Sequence, residues 1–366
     1  MPVANGQKVD IPSVGFGTWF SDEKQSAEEC ILTALQSGYR HLDSAWAPGI
    51  PREEIHVTSK VWLQFLAPEN VELALDKVLQ DSGMEYVDLF LAHHTVVFKN
   101  KGREALEKAE PSMYDQGGMG VLLDEKGLPK NGQEGSFVPT WLAMQELVKK
   151  GKARAIGVSN LGLQDVQELL PYSKEIPISC NQVEMHAWLP QNELLEFHKK
   201  HGIVTTAFGP FGGGSITGVR VIDDAEIQKL AERAGMGIGQ MLQSWAVQRG
   251  TIPVGKSATP ERMRSNLDVK RLAEWDGEAG GGEVAGHQSG LRCAVLRVMG
   301  RPVVGTQLWR GLRLSSSCED YHTACVQVVV LRFFGAMQCV WCGGLRTPRL
   351  DRGRALEVGW VVMACK

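Results

Sequence analysis

Residues 155–184 read AIGVSNLGLQDVQELLPYSKEIPISCNQVE. Two short runs rich in β-branched and apolar residues, 155–159 and 178–184, flank one stretch with helical periodicity, 163–170. A strand, a helix and a strand in that order are the unit of a parallel sheet with a helical crossover. The same alternation continues on both sides. Downstream the pattern predicts a helix at 193–201, a strand at 204–208, helices at 225–234 and 239–248, a strand at 251–254 and a helix at 260–267. Upstream it predicts strands at 14–18, 40–45, 55–60 and 87–93, with helices at 26–38, 71–82 and 139–150. Eight strands within about 270 residues fit a (β/α)8 barrel. An open doubly wound sheet is the alternative, but no G-x-G-x-x-G joins a first strand to a helix. The glycines Gly235, Gly237 and Gly239 fall between two helical patterns and read as a loop.

Composition bounds the function classes. The chain has 366 residues, 39 basic and 42 acidic, for a net charge of −3. That balance gives no electrostatic footprint for nucleic acid or an anionic membrane. No apolar run is long enough for a transmembrane helix, and the opening MPVANGQKVD does not resemble a signal peptide, so a cytoplasmic protein is expected. The averages conceal a break near residue 276. Residues 1–276 carry a net −8 and contain 13 Ile and eight Asn; residues 277–366 carry +5 and contain neither. Six of the eight cysteines fall in this Arg- and Gly-rich tail, so two regions are expected: a barrel over 1–276 and a poorly packed tail over 277–366. The tail spacing Cys318-x3-His322-x2-Cys325 followed by Cys339-x2-Cys342 is weak as a zinc pattern, and no metal site is assigned.

In a (β/α)8 barrel, chemistry gathers at the C-terminal strand ends. Those ends are polar here: Thr18 and Trp19, Asp43 and Ser44, Lys60, His93 and His94, Ser159 and Asn160, Gln182 and Glu184, Gly209, Lys256 and Ser257. An Asp, a Lys and a His on neighbouring strands are expected to converge at one mouth.

The segments VGFGTW (14–19), GYRHLDSAWA (38–47), GIPREEIHVTSKVW (49–62), YVDLFLAH (86–93), GKARAIGVSN (151–160), CNQVEMH (180–186), WAVQRGTIPVGKS (245–257) and TPERMRSNLD (259–268) together resemble the aldo-keto reductase family, in its fungal-looking aldehyde and alditol reductase branch. The resemblance implies a single barrel that binds NADP(H) across the strand ends and transfers hydride to a small-molecule aldehyde or ketone, or in reverse from an alcohol. Carried over, it implies catalytic roles for Asp43, Lys60 and His93, and substrate contact by Trp19 and His93. It implies cofactor contact by Thr18, Asp43, Ser159, Asn160, Gln182, Phe208, Gly209, Phe211, Lys256, Ser257, Thr259, Arg262 and Asn266. Lys256 and Arg262 suit a 2′-phosphate, which favours NADP over NAD.

Two departures qualify the resemblance. His94 and Thr95 stand where the family has tryptophan and proline, which is expected to change the substrate-pocket wall. More consequential, Ala47 is followed by Pro48 and then directly by GIPREE, without the proton-donating tyrosine and the helix that the family places there. No tyrosine occurs between Tyr39 and Tyr86. The resemblance therefore implies an impaired reductase, with a non-catalytic NADP(H)-binding barrel as the alternative. The missing helix is also expected to leave apolar barrel surface wet, at about 25 cal/mol per Å². Residues 99–137 form a long polar insertion, and loops of that length are functional or disordered.

Overall fold

A computed structural model describes residues 1–6, 8–18, 27–43, 50–108, 122, 136–212 and 220–272, together with strands at 326–332, 336–342 and 361–364. Eight parallel strands close on themselves in sequence order: β1 (Gly15–Gly17), β2 (His41–Asp43), β3 (His56–Val61), β4 (Val87–Ala92), β5 (Ala153–Ser159), β6 (Cys180–Glu184), β7 (Val204–Phe208) and β8 (Ile252–Gly255), with β8 paired to β1. The helices are α1 (Ala27–Gln36), α2 (Val71–Ser82), α3 (Arg103–Glu107), α4 (Val138–Lys149), α5 (Leu163–Leu169), α6 (Asn192–Lys200), α7 (Ala225–Arg233), α8 (Ile238–Gln248) and α9 (Pro260–Leu267). The barrel expected from the alternating pattern is therefore the observed fold.

Local chemistry sets the element bounds. Asp224 caps α7, its Oδ1 accepting from Glu226 N at 2.9 Å and Ile227 N at 3.0 Å. Gly83 ends α2 with φ of 67°, a left-handed turn that glycine enters without penalty. Gly157 on β5 allows a close approach, since a Cβ there would lie 2.3 Å from Cys180 O on β6.

The link from β2 to β3 spans residues 44–55. Among the described residues it contains no α-helix, only a 3-10 turn at Arg52–Glu54. The strands still pair in register, His41 with His56 and Asp43 with Thr58. The expected wet band is not found among the described residues. Leu42, Val57 and Val61 are at most 1 % exposed. They share one apolar cluster with Ile31, Ala34 and Leu35 of α1 and with Val71, Ala74 and Leu75 of α2. Residues 44–49 lie outside the described residues.

The opposite end of the barrel is plugged. Met1 and Val3 pack with Leu89, Leu91, Ala155 and Cys180 inside the strands, and Ser179 Oγ donates to Pro2 O at 2.5 Å. Of the tail, β9 (Val326–Arg332), β10 (Ala336–Cys342) and β11 (Val361–Ala364) form an antiparallel sheet with β9 central. Cys318, His322 and Cys325 lie outside the described residues, as does most of the insertion at 99–137, of which α3 is described.

Candidate active site

Successive residues of a strand point to opposite faces. With Leu42, Val57 and Val61 turned to the helices, His41, Asp43, His56, Thr58 and Lys60 face the barrel interior. They stack in layers. At the lower level the rings of His41 and His56 meet edge to face at 4.8 Å, and His41 Nε2 pairs with Thr58 Oγ1 at 3.0 Å. Above them Lys60 Nζ donates to Asp43 Oδ1. This ion pair is nearly enclosed, with side-chain exposures of 11 % and 8 %. A buried pair of this kind persists only where each charge has its partner.

The strand ends are joined by hydrogen bonds around the mouth. Thr18, just past β1, donates from both N and Oγ1 to Asp43 O, at 3.2 Å and 2.7 Å. Asp43 leads to Lys60 on β3. Beyond β4, His93 N donates to Val61 O at 3.3 Å, and the His93 ring meets Trp62 edge to face at 4.9 Å. Asn160 Nδ2 donates to His93 O at 3.0 Å and to Ser159 Oγ at 3.2 Å. Ser159 Oγ and Asn160 N in turn donate to Gln182 O, both at 2.9 Å. Asn160 holds φ of 63°, a conformation Asn tolerates better than most residues. Gln182 itself is buried and its Nε2 has no partner among the described residues. A donor left unpaired in this way is costly unless a ligand satisfies it.

His93 is neutral: burial first, and then the Lys60 charge, lower its pKa to about 3. His94 is held differently. Its Nδ1 accepts from Thr95 N at 2.9 Å and Val96 N at 3.2 Å, so the ring caps its own turn. Trp62, the residue after β3, packs on His93 although strand patterning does not single it out.

The other half of the mouth comes from β7, β8 and α9. Phe208 ends β7 and Gly209 follows with φ of 62°. The Phe211 ring lies against Gly255, where a Cβ would meet it at 3.0 Å. Lys256 is exposed and Ser257 half-buried after β8, and Ser257 Oγ accepts from Thr259 N at 3.1 Å. Thr259 precedes Pro260 at the start of α9, which carries exposed Arg262 and buried Asn266. Two cations beside a helix N-terminus can hold a phosphate. Trp19 lies outside the described residues.

A parallel eight-stranded barrel with an Asp–Lys–His constellation at its mouth defines a class of fold and site. The comparisons assign the lineage within it. The profile of the Aldo/keto reductase family matches residues 13–276, and the chain belongs to that family. It is 36 % identical to an aldehyde reductase of Saccharomyces cerevisiae over 73 % of this chain and 85 % of that protein. It is 34 % identical to a glycerol 2-dehydrogenase (NADP(+)) of Hypocrea jecorina, covering 74 % and 87 % of the two chains. An NADPH-dependent D-xylose reductase of Meyerozyma guilliermondii is also 34 % identical, covering 74 % and 89 %. The solved structure of an aldose reductase from Giardia lamblia superimposes with a TM-score of 0.61 and 29 % identity, covering 72 % of this chain and 89 % of that one.

Proposed function

We propose that the chain is an NADP(H)-dependent carbonyl reductase, acting on small aldehydes or ketones, whose turnover is held down by the missing tyrosine. The observation that carries this reading is the buried Lys60–Asp43 ion pair at the same mouth as neutral His93. Hydride addition to a carbonyl places negative charge on oxygen, so a fixed cation and an N–H donor at that mouth are what the reaction requires. Bound NADPH would supply the hydride.

The residues suit that cofactor. The unpartnered Nε2 of Gln182, beside Ser159 and Asn160, is a ready donor for a carboxamide oxygen. Phe208 offers a ring face for the nicotinamide. Gly209 and Phe211 flank the pyrophosphate side, and Thr18 with Asp43 lines the same rim. Lys256, Ser257, Thr259, Arg262 and Asn266 hold the adenosine end. The cations among them suit a 2′-phosphate, as in the NADP-named relatives. In this reading the reductase unit is the barrel up to about residue 276, and the remaining chain is an appendage.

A second reading is a barrel that binds NADP(H) without turning it over. The absence of any tyrosine between Tyr39 and Tyr86 favours it, because losing a general acid slows turnover by about 10²- to 10⁴-fold. Titration of NADPH fluorescence with the purified chain tests binding; a change that saturates near one equivalent supports both readings, and no change rejects both. Oxidation of NADPH with a generic aldehyde then separates them: slow but enzyme-dependent loss of absorbance supports the reductase, and none at high enzyme concentration supports the binding module.

A further inference from the structure

We propose that Lys60 itself, in addition to binding charge, delivers the proton to the carbonyl oxygen. This rests on the reductase reading above.

The acid must sit at the mouth, and the described tyrosines do not. Tyr39 precedes β2, and its hydroxyl donates to Met263 O on α9 at 3.2 Å. Tyr86 precedes β4 with its ring clamped between Arg52 and Arg154, at 4.2 Å and 4.0 Å from the guanidinium carbons. Tyr172 follows α5 on the outside, 49 % exposed. His93 is at the mouth but neutral, so giving up its ring proton would leave an imidazolate beside other buried groups. It can orient a carbonyl; it has no labile second proton. Lys60 has three N–H bonds and gives one to Asp43 Oδ1. Its side chain keeps 11 % exposure.

The step balances. NADPH, when bound, would supply the hydride and be left as NADP+; the hydride's electron pair goes to the carbonyl carbon, and the C=O π pair moves to oxygen. That oxygen takes a proton from Lys60 Nζ. The N–H electron pair stays on nitrogen, which becomes a neutral amine. A proton taken up from bulk solvent then restores the ammonium, and Asp43 stays a carboxylate throughout, ready to re-pair with it. Alcohol oxidation is the same sequence reversed.

The test uses the full chain with Lys60→Arg and Lys60→Ala. Lys60→Arg keeps the charge opposite Asp43, so it preserves the fold, but a guanidinium does not release its proton. The expected result is that Lys60→Arg binds NADPH, by fluorescence titration, within about threefold of the unsubstituted chain, while single-turnover hydride transfer falls at least about 100-fold in both variants. Small primary ammonium ions should restore the Lys60→Ala rate and leave Lys60→Arg slow. A purely electrostatic Lys60 would instead leave Lys60→Arg near full rate, which overturns the proposal. So would failure of every ammonium ion to rescue Lys60→Ala, or loss of activity in Tyr114→Phe or Tyr321→Phe, whose positions lie outside the described residues. An unsubstituted chain that binds no NADPH or turns over no aldehyde overturns the reductase reading and this proposal together. A failure confined to the Lys60 variants overturns the proposal alone.

Discussion

Arg52 Nη2 donates to Asp88 Oδ2 at 2.7 Å, which ties the short link ahead of β3 to β4 on the far side of it. The same guanidinium donates to Ile55 O at 2.7 Å and Tyr86 O at 3.0 Å. Asp88 is 3 % exposed and also accepts from Val57 N at 2.9 Å and Arg154 Nη1 at 3.1 Å. With no helix in that link among the described residues, this clamp fixes where β3 begins. Arg52→Met is expected to destabilise the chain by about 2–3 kcal/mol in urea unfolding, below the full cost of an orphaned buried charge because Arg154 remains. A change under about 0.5 kcal/mol would show that the clamp is dispensable.

Glycines separate by what surrounds them. Gly157→Ala drives a Cβ to within 2.3 Å of Cys180 O, and backbone cannot give way there without opening β5 from β6. A loss of about 3 kcal/mol or more, or failure to accumulate as folded protein, is expected. Gly83→Ala meets nothing within 4 Å and pays only for its φ of 67°, about 1 kcal/mol. Equal midpoints for the two variants would contradict this assignment.

Acid should weaken the barrel through its histidines. Burial lowers His41 and His198 to about 4, His93 to about 3 and His56 well below its ordinary value. Unfolded histidines titrate near 6.5, so between about pH 6.5 and 4 the unfolded chain binds protons that the folded chain refuses. Stability is therefore at its plateau above that range and falls as pH drops through it, by up to about 1.4 kcal/mol per pH unit for each histidine. Urea midpoints at pH 7.5, 6 and 5 should decline in that order; a flat series would mean these rings are not neutral and enclosed.

Cofactor choice should be set by Lys256 and Arg262. Under the proposed reading, Lys256→Met combined with Arg262→Gln weakens NADPH binding by roughly 10-fold or more and leaves NADH binding nearly unchanged. Equal losses for the two nucleotides would place the 2′-phosphate elsewhere.

Much of the barrel was legible because its strands are short, buried on both faces and rich in β-branched residues. Val204–Phe208 and Val71–Ser82 have the bounds their patterns predict, and most other elements shift by a residue or two. The polar strand ends were legible for the same reason, as the residues that interrupt apolar runs. What pattern could not convey was tertiary. The edge contact of Trp62 on His93 and the His94 ring folded onto its own loop depend on how neighbouring strands are staggered. The burial of Leu42, Val57 and Val61 in one core with residues of α1 and α2 is a fact about packing that no local count of residues contains. The strands β9, β10 and β11 lie in the tail that composition sets apart from the barrel.

The register of β2 against β3 survives with a minimal tether between them. That makes the part of the link ahead of Arg52 a graft point: the tether can be lengthened there with foreign sequence without asking the cylinder to re-form. A phenol or another acid inserted there would be judged by its chemistry alone, since the scaffold beneath it is already closed.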